Sequence, residues 1–221
     1  MPTALNFTNL QSNVIAYLER GSAAQDPTVN AMLPTLINQA ERRISRELKV
    51  MGFVQTVQSV MTVGSWVIAK PDRWRQTISI NYGAGTNFSG SANAVWNPLF
   101  ARSLEYVRAY NQDVTLLGPP KFYADYTYTQ WAISPSPDQA YPFEVVYYEM
   151  PALLDANNQT NWITQYAPEL LTYATLLECE PFLKNDERVP VWQNLYDRTK
   201  AALNQEDQQK ILDRQTTRQD A

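Results

Sequence analysis

Apolar residues near the start of the chain recur at the spacing of an α-helix. The pattern predicts a first helix whose N-cap is Asn6 or Thr8. A second helix is predicted from about Met32 to Leu48, with Pro34 tolerated in its first turn. Both helices have one apolar side and therefore need packing partners. The apolar sides consist of Phe7, Leu10, Val14, Tyr17 and Leu18 in the first helix, and of Leu33, Leu36, Ile37, Ala40, Ile44 and Leu48 in the second.

After residue 52 the hydrophobic period changes to two and β-branched residues dominate, which is typical of strands. A loop over residues 83–97, rich in Gly, Ser, Asn and Ala, interrupts the sheet and is expected to be mobile, and a short helix follows over about 101–110. Residues 134–138 include two prolines without an N–H, so they form a hairpin connection or an edge. The predicted strands are residues 53–60, 66–69, 73–82, 121–129, 130–134 and 143–150.

The chain returns to helices after Asn161, a predicted N-cap. Pro168 lies near the start of the main segment, and Pro181 bends or ends it. Pro190 opens a last helix, and the residues beyond Asn204 are mostly polar. One face of the last helix carries Trp192, Leu195, Tyr196, Thr199 and Leu203.

The order of elements, two helices, then strands, then two helices, predicts an α+β fold. We expect a four-helix bundle made by the N- and C-terminal helices, with an antiparallel β-sandwich inserted between them. The predicted divisions are 1–52 and 156–204 for the halves of the bundle, 53–155 for the β-sandwich insertion with its short helix and mobile loop, and 205–221 for an extended C-terminal tail.

Composition adds to this prediction only by excluding certain classes of protein and of site. Hydrophobic residues make up 44% and aromatic residues 12% of the 221 residues, which excludes a disordered chain. The formal net charge is -4 and no run of cations exceeds Arg42 and Arg43, so a clamp for a phosphate backbone is missing. A single cysteine excludes an intrachain disulfide and makes a reducing cytoplasm the expected place of folding. We find neither a signal peptide in residues 1–11 nor a segment with the apolar length of a membrane span.

The residue types also restrict catalysis. The chain contains no histidine, which removes His-based triads and most zinc sites. Cys179 is interpreted as a buried structural thiol. Glu178 with Glu180 and Asp186 with Glu187 are interpreted as solvated or capping charges, since such close neighbours on a helix point to different sides. We therefore predict no catalytic residue, no cofactor and no metal site.

Three stretches carry patterns of packing and turns that invite comparison with known families. They are residues 33–48 (LPTLINQAERRISREL), residues 135–137 (PSP) followed by 145–148 (VVYY), and residues 161–177, which include YAPELL. Together with the order of elements, they resemble the head-to-tail connector adaptor proteins of tailed phages. The resemblance spans nearly the whole chain.

This resemblance implies a non-enzymatic structural protein of the virion neck, between head and tail, assembled in the host cytoplasm. It implies a ring of about twelve identical subunits that docks on the portal protein, extends the DNA channel and attaches a downstream tail or nozzle protein. DNA is expected to pass without sequence-specific binding, and no membrane is expected as a partner. The C-terminal tail, with an apolar pair in a polar segment, is expected to become ordered on the portal. The expected portal interface consists of Leu203, Ile211, Leu212, Arg214 and Arg218.

A second hypothesis is a tail-associated module that binds carbohydrate or a receptor, with Tyr126, Tyr128 and Trp131 as a stacking platform. Core or interface filling is the competing interpretation, because Tyr126 and Tyr128 share one side of the pleat with Phe122. Exposure of the three rings favours the binding module. An enzyme survives only as carboxylate-based hydrolysis.

Overall fold

Two compact units make up the chain. The computed structural model describes residues 5–19, 25–83, 96–183 and 187–216, with side chains up to residue 210 in the last helix. A helical unit comprises Met1–Phe53 and Met150–Ala221, and a sheet unit comprises Val54–Glu149. The helical unit is therefore discontinuous in sequence, whereas the sheet unit is one continuous stretch.

The described residues form six α-helices, seven strands and a short 3-10 turn at Met51–Phe53. The helices are α1 (Phe7–Tyr17), α2 (Pro27–Glu47), α3 (Leu104–Tyr110), α4 (Trp162–Tyr166), α5 (Pro168–Leu183) and α6 (Val189–Thr216). The strands are β1 (Val54–Val60), β2 (Val67–Ala69), β3 (Trp74–Gly83), β4 (Trp96–Ala101), β5 (Phe122–Asp125), β6 (Gln130–Ser134) and β7 (Pro142–Glu149). Among the helices described, none has both the length and the apolarity that a membrane crossing requires.

Side-chain caps fix the starts of the first two helices. Asn6 caps α1 by accepting a hydrogen bond from the Asn9 N–H at 2.8 Å, which confirms one of the two predicted caps. Helix α2 begins earlier than predicted, at Pro27, with the Asp26 side chain as its cap. Asp26 followed by Pro27 combines a capping carboxylate with a first-turn proline, which is a stronger start signal than Pro34 alone. Pro34 therefore lies inside the helix.

Helix α5 is the centre of the helical unit, where it contacts α1, α2, α4 and α6. It is apolar around most of its circumference, as a helix surrounded by others must be. The predicted four-helix bundle is wrong, because the described part of this unit holds five helices, four of them packed on α5. Buried residues of α5 include Leu170, Leu171, Ala174, Leu176, Leu177 and Cys179.

The additional helix arises where the segment after Asn161 divides. The Asn161 side chain accepts hydrogen bonds from the N–H groups of Ile163 and Thr164, and the Thr164 hydroxyl accepts one from the Asn161 N–H. This capping box starts α4, which ends after little more than one turn. Pro168 then opens α5 as a separate helix.

The last helix is longer than expected. Helix α6 continues to Thr216, so the segment predicted to be an extended tail after residue 204 is helical up to that residue. Its polar composition does not prevent this, because Gln, Glu and Lys are good helix formers. The ion pair of Glu206 with Lys210, one turn apart at 2.6 Å, adds local support.

The sheet unit, as far as it is described, contains one mixed sheet in the order β1-β7-β3-β4-β5-β6-β2. Strands β4 and β5 run parallel, and the other neighbouring pairs are antiparallel. The sheet curls into a half-barrel around its apolar core, so the predicted antiparallel β-sandwich is wrong. Two register shifts between β3 and β7, at Trp74/Gln76 and Thr77/Ser79, bend the sheet at its middle.

Strand β4 overlaps the end of the predicted loop and the start of the predicted short helix. Its Pro98 lies opposite Asn81 of β3, and a proline in a strand weakens the sequence signal for that strand. Helix α3, capped by Ser103, belongs to the crossover that allows β5 to run parallel to β4. Residues 84–95 of the predicted loop lie outside the described residues.

Two tryptophans share one hydroxyl in the core of the half-barrel. The indole N–H of the fully buried Trp131 donates to Thr77 Oγ1 at 2.9 Å, and that of Trp74 donates to the same oxygen at 3.1 Å. Trp131 lies on β6 and Thr77 on β3, which are not neighbours in the sheet. The bond therefore crosses the interior and holds the curl.

Candidate partner-binding site

An open cleft lies on the helical unit between the 3-10 turn, α4 and the C-terminal half of α6. Its cavity has a volume of about 210 Å³. We call it the aromatic cleft, after the two rings on α4 that form one wall. Its lining includes Met51, Gly52, Trp162, Tyr166, Leu203 and Asp207.

Trp162 and Tyr166 form the aromatic wall. They are one helical turn apart, and their rings stack with centroids separated by 5.5 Å. Phe53 packs edge-on against Trp162 at 5.1 Å, and Gly52 lets the indole lie against the backbone, where a Cβ would overlap the ring. Tyr166 is 66% exposed. The stack is therefore held from one side and open on the other, as expected of an aromatic hot spot in a protein interface.

The rim of the aromatic cleft is polar. The Met51 N–H donates to the Asp207 carboxylate, at 3.2 Å from Oδ1 and 3.3 Å from Oδ2. Glu206 and Lys210 supply an exposed ion pair, which contributes little to stability. An apolar centre inside a polar rim is the usual anatomy of a protein-binding surface.

Of the five residues predicted to contact the portal, the structure places Leu203 in the aromatic cleft, where it is half-buried. Ile211, Leu212 and Arg214 continue the backbone of α6, and their side chains lie outside the described part. Arg218 is outside the described residues altogether. The portal role of these five residues stays a prediction.

Sequence reasoning missed most of the cleft. Met51 and Asp207 are 156 positions apart, and hydrophobic periodicity does not say which distant segments meet. One local signal was available: Trp162 and Tyr166 are four residues apart directly after an N-cap, which puts both rings on one helix face.

The three rings of the alternative stacking platform do not share an exposed surface. Trp131 is fully buried, and Tyr126 is half-buried with its ring edge-on to Trp66 at 4.8 Å. Only Tyr128 of the three is strongly exposed, at 75%. Core filling is therefore the better interpretation of Trp131 and Tyr126.

The side chains considered as candidate catalytic groups do not come together in one cleft either. Cys179 is fully buried, as predicted, and desolvation raises the pKa of its thiol to about 12. Glu178 pairs with Arg43 at 3.4 Å, whereas Glu180 is buried and accepts a hydrogen bond from the Trp192 indole N–H at 3.0 Å. The two glutamates do not face one cleft. Asp186 lies outside the described residues.

An open aromatic cleft with a polar rim has the anatomy of a protein-binding surface. The comparison with protein families agrees: the family described as SU10 adaptor protein matches residues 5–219. The chain belongs to this family of phage head-to-tail adaptors, which confirms the resemblance seen in the sequence. It is a structural phage protein, and the family places it in the virion between head and tail. No curated protein matches the chain.

Proposed function

We propose that the chain forms a ring of about twelve copies that docks on the portal protein, extends the DNA channel and attaches a downstream tail or nozzle protein. Assembly takes place in the host cytoplasm. The observation that carries the proposal is the match of the adaptor family over residues 5–219, nearly the whole chain. An adaptor between head and tail needs at least two protein-binding surfaces, one for each neighbour.

The portal-facing surface in this proposal is the aromatic cleft together with the distal half of α6. This helix has 28 residues, which corresponds to a length of about 42 Å at 1.5 Å per residue. Its first half buries Tyr196, while its second half contributes Leu203 and Asp207 to the cleft. Ile211, Leu212 and Arg214 then extend the contact along the same helix.

The charge of the chain suits a passage for DNA rather than a binding site. A net charge of -4 per copy repels phosphates when many copies surround a channel. DNA therefore passes without being clamped, and without sequence-specific contacts.

Mixing the purified chain with the portal of the same phage, followed by native mass measurement, tests the proposal. We expect portal rings that carry about twelve copies of the chain. Tyr166→Ala is expected to weaken binding at least about tenfold at an unchanged melting temperature, since it removes an exposed anchor. Tyr128→Ala is the matched control: it removes an even more exposed tyrosine from the sheet unit and is expected to leave portal binding unchanged.

A second variant tests the end of the chain. Truncation after Lys210 keeps every described residue of the cleft and removes residues 211–221, and we expect weaker portal binding at an unchanged melting temperature. A wild-type chain that does not bind an intact portal contradicts the proposed function.

A further inference from the structure

The two open edges of the sheet face each other. Strands β1 and β2 stand at opposite ends of the strand order and follow each other in the chain, yet they do not pair. Residues of both strands line one cavity of about 290 Å³. We call this cavity the edge slot. Its lining includes Val57, Ser59, Val60, Ile68, Ala69 and Phe143.

The hydrogen-bond ladder shows where the backbone of β1 points. The Met61 N–H donates to the Tyr141 carbonyl at 2.8 Å, and Val60 lies opposite Pro142, which has no N–H. Because bonded and non-bonded pairs alternate along an antiparallel ladder, Val60 directs its N–H and C=O away from β7. The same alternation turns Gln58 and Thr56 toward the open edge.

The ladder of β2 gives the matching result. The Trp66 carbonyl accepts the Ile133 N–H at 2.8 Å, and the Lys70 N–H donates to the Thr129 carbonyl at 2.8 Å. The alternation then turns the backbone groups of Ala69 away from β6. The other outward residue of β2, Val67, accepts the Ser65 hydroxyl on its carbonyl at 2.9 Å and donates its N–H to the same hydroxyl oxygen at 3.4 Å. The edge slot is thus bordered by outward backbone groups of β1 on one side and of Ala69 on the other, which an added extended strand can pair with.

Strand β1 also lacks the usual protection of an edge. Sheet edges are commonly blocked by a charge, a proline or a bulge, whereas β1 reads VQTVQSV and pairs with β7 in an unbroken seven-residue register. Val60 is 54% exposed at this edge. Behind it, the lining residues Met61, Ile68 and Phe143 are buried and apolar. The charge of Lys70, which also lines the slot, is paired with Asp125 at 2.6 Å. The site therefore fits an extended, uncharged segment with apolar side chains.

We propose that the edge slot receives an extended segment from a second copy of this chain, which adds an eighth strand and closes the half-barrel. This inference rests on the ring of the proposed function and identifies one contact between its subunits. Eight strands enclose an interior that side chains fill, so closure completes the core. Because β1 and β2 run in opposite directions, the added strand is antiparallel to one edge and parallel to the other.

A copy of the chain carries a segment of the required chemistry. Val114, Leu116 and Leu117 precede β5 outside the named strands, and they are 49%, 61% and 51% exposed. In the single chain the Leu116 N–H closes a turn on the Asp113 carbonyl at 3.1 Å, and Leu117 forms a bridge with Ser136, so both contacts open when the segment inserts as a strand. Val114 and Leu116 alternate as the apolar side of a strand does. Both open edges of the described sheet, β1 and β2, border the slot. A second copy therefore binds by inserting a segment between them, and not by pairing its own sheet edge with one of them around a two-fold axis. Such a contact joins two different surfaces, and its repetition gives a ring when the rotation between copies closes, as the portal ring of the proposed function requires.

Site-specific photo-cross-linking tests the proposal. The variant Val60→Cys introduces a reactive thiol at the slot, since Cys179 is buried, and this thiol is labelled with a benzophenone maleimide. Equal amounts of ¹⁴N- and ¹⁵N-labelled chains are assembled on the portal and irradiated. We expect cross-linked peptides that join a light chain to a heavy chain. Cross-links within one chain, or to the portal, overturn the proposal. If the chain does not bind the portal, the same measurement on the concentrated chain alone tests whether a second copy inserts into the edge slot.

Proline substitutions give an independent readout. Val60→Pro and Ala69→Pro each remove an N–H that points into the slot and leave the ladders to β7 and β6 intact. Among the variants that keep the wild-type melting temperature, we expect the number of copies per portal to fall at least about twofold, while Val60→Thr, which keeps the N–H, assembles normally. If a folded proline variant still forms full rings on the portal, insertion of a strand into the edge slot is refuted, while the proposed function is not affected.

Discussion

The Asn161 side chain joins the start of α4 to the buried carboxylate of Glu41 on α2. Its oxygen caps α4, and its NH₂ group donates to Glu41 Oε1. Glu41 Oε2 accepts the Leu154 N–H at 3.0 Å. One carboxylate thus ties α2 to the segment by which the chain returns to the helical unit.

We expect the free energy of unfolding of the helical unit to fall as the pH rises from 5 to 8. Burial raises the pKa of Glu41 from 4.5 to about 7 and outweighs the hydrogen bonds from Leu154 and Asn161, which lower it. A carboxyl with a raised pKa in the folded state destabilises the fold progressively between its unfolded pKa and its folded pKa, because burial opposes its ionisation. The expected loss is roughly 2 to 3 kcal/mol.

Urea unfolding at several pH values checks this. Glu41→Gln is expected to flatten the dependence, whereas the exposed Glu187→Gln retains it. An unchanged slope in Glu41→Gln contradicts the assignment.

Gly52→Ala is expected to destabilise the helical unit by roughly 1 to 3 kcal/mol, because the added methyl overlaps the Trp162 indole and displaces its stack with Tyr166. Gly118→Ala is the matched control, since a Cβ there meets Pro135 at 3.7 Å, an ordinary contact. Denaturant midpoints and portal binding are measured together. If Gly52→Ala matches the wild type in both, the wall of the aromatic cleft is not built as described.

Thr77→Val is expected to destabilise the sheet unit by about 2 to 3 kcal/mol, although the two side chains have nearly the same shape. It removes the oxygen that accepts the indole N–H groups of Trp74 and Trp131, and an unpaired buried donor is costly. Thr77→Ser keeps the oxygen and is expected to lose much less. Equal losses in the two variants mean that the hydroxyl is not what holds the curl.

Trp192→Phe is expected to cost more stability than Tyr196→Phe, although each loses one hydrogen bond to a glutamate. Glu180 accepts from Trp192, and its second oxygen is buried without a partner, so the variant leaves the whole carboxylate unpaired. Glu47 loses the Tyr196 hydroxyl but keeps Lys200 at 2.8 Å. The expected difference is about 1 to 3 kcal/mol, read from the midpoints of thermal unfolding. The reverse order argues against an isolated Glu180.

Local signals in the sequence were enough for most helices and strands. Period and capping chemistry predicted α1 with Asn6 as one of two candidate caps, alternation predicted β1, and a run that is apolar on both faces predicted β7. The start of α2 was missed because two prolines compete for the first turn, and Asp26 decides in favour of Pro27. An error of this kind shifts the boundary of a helix, while the helix itself is still predicted.

The larger errors concern relations between distant residues. Nothing in the alternation of β3 indicates that its register against β7 shifts twice, or that Thr77 meets Trp131 across the interior. A flat sandwich and a curled half-barrel have the same strand pattern, so the pattern cannot separate them. The aromatic cleft was missed for the same reason. Leu203 was predicted from its helix face, whereas Met51 and Trp162 belong to segments that are distant from it in sequence.

The discontinuity of the helical unit sets an order of events during synthesis. The sheet unit, Val54–Glu149, is complete before any residue of α5 has been made, and domains generally fold as units as they emerge from the ribosome. Helices α1 and α2 must wait with their apolar sides uncovered, because α5 is the helix on which they pack. Since the aromatic cleft needs α6 as well, this cleft is completed only after α6 has been made, and a nascent chain does not offer it earlier.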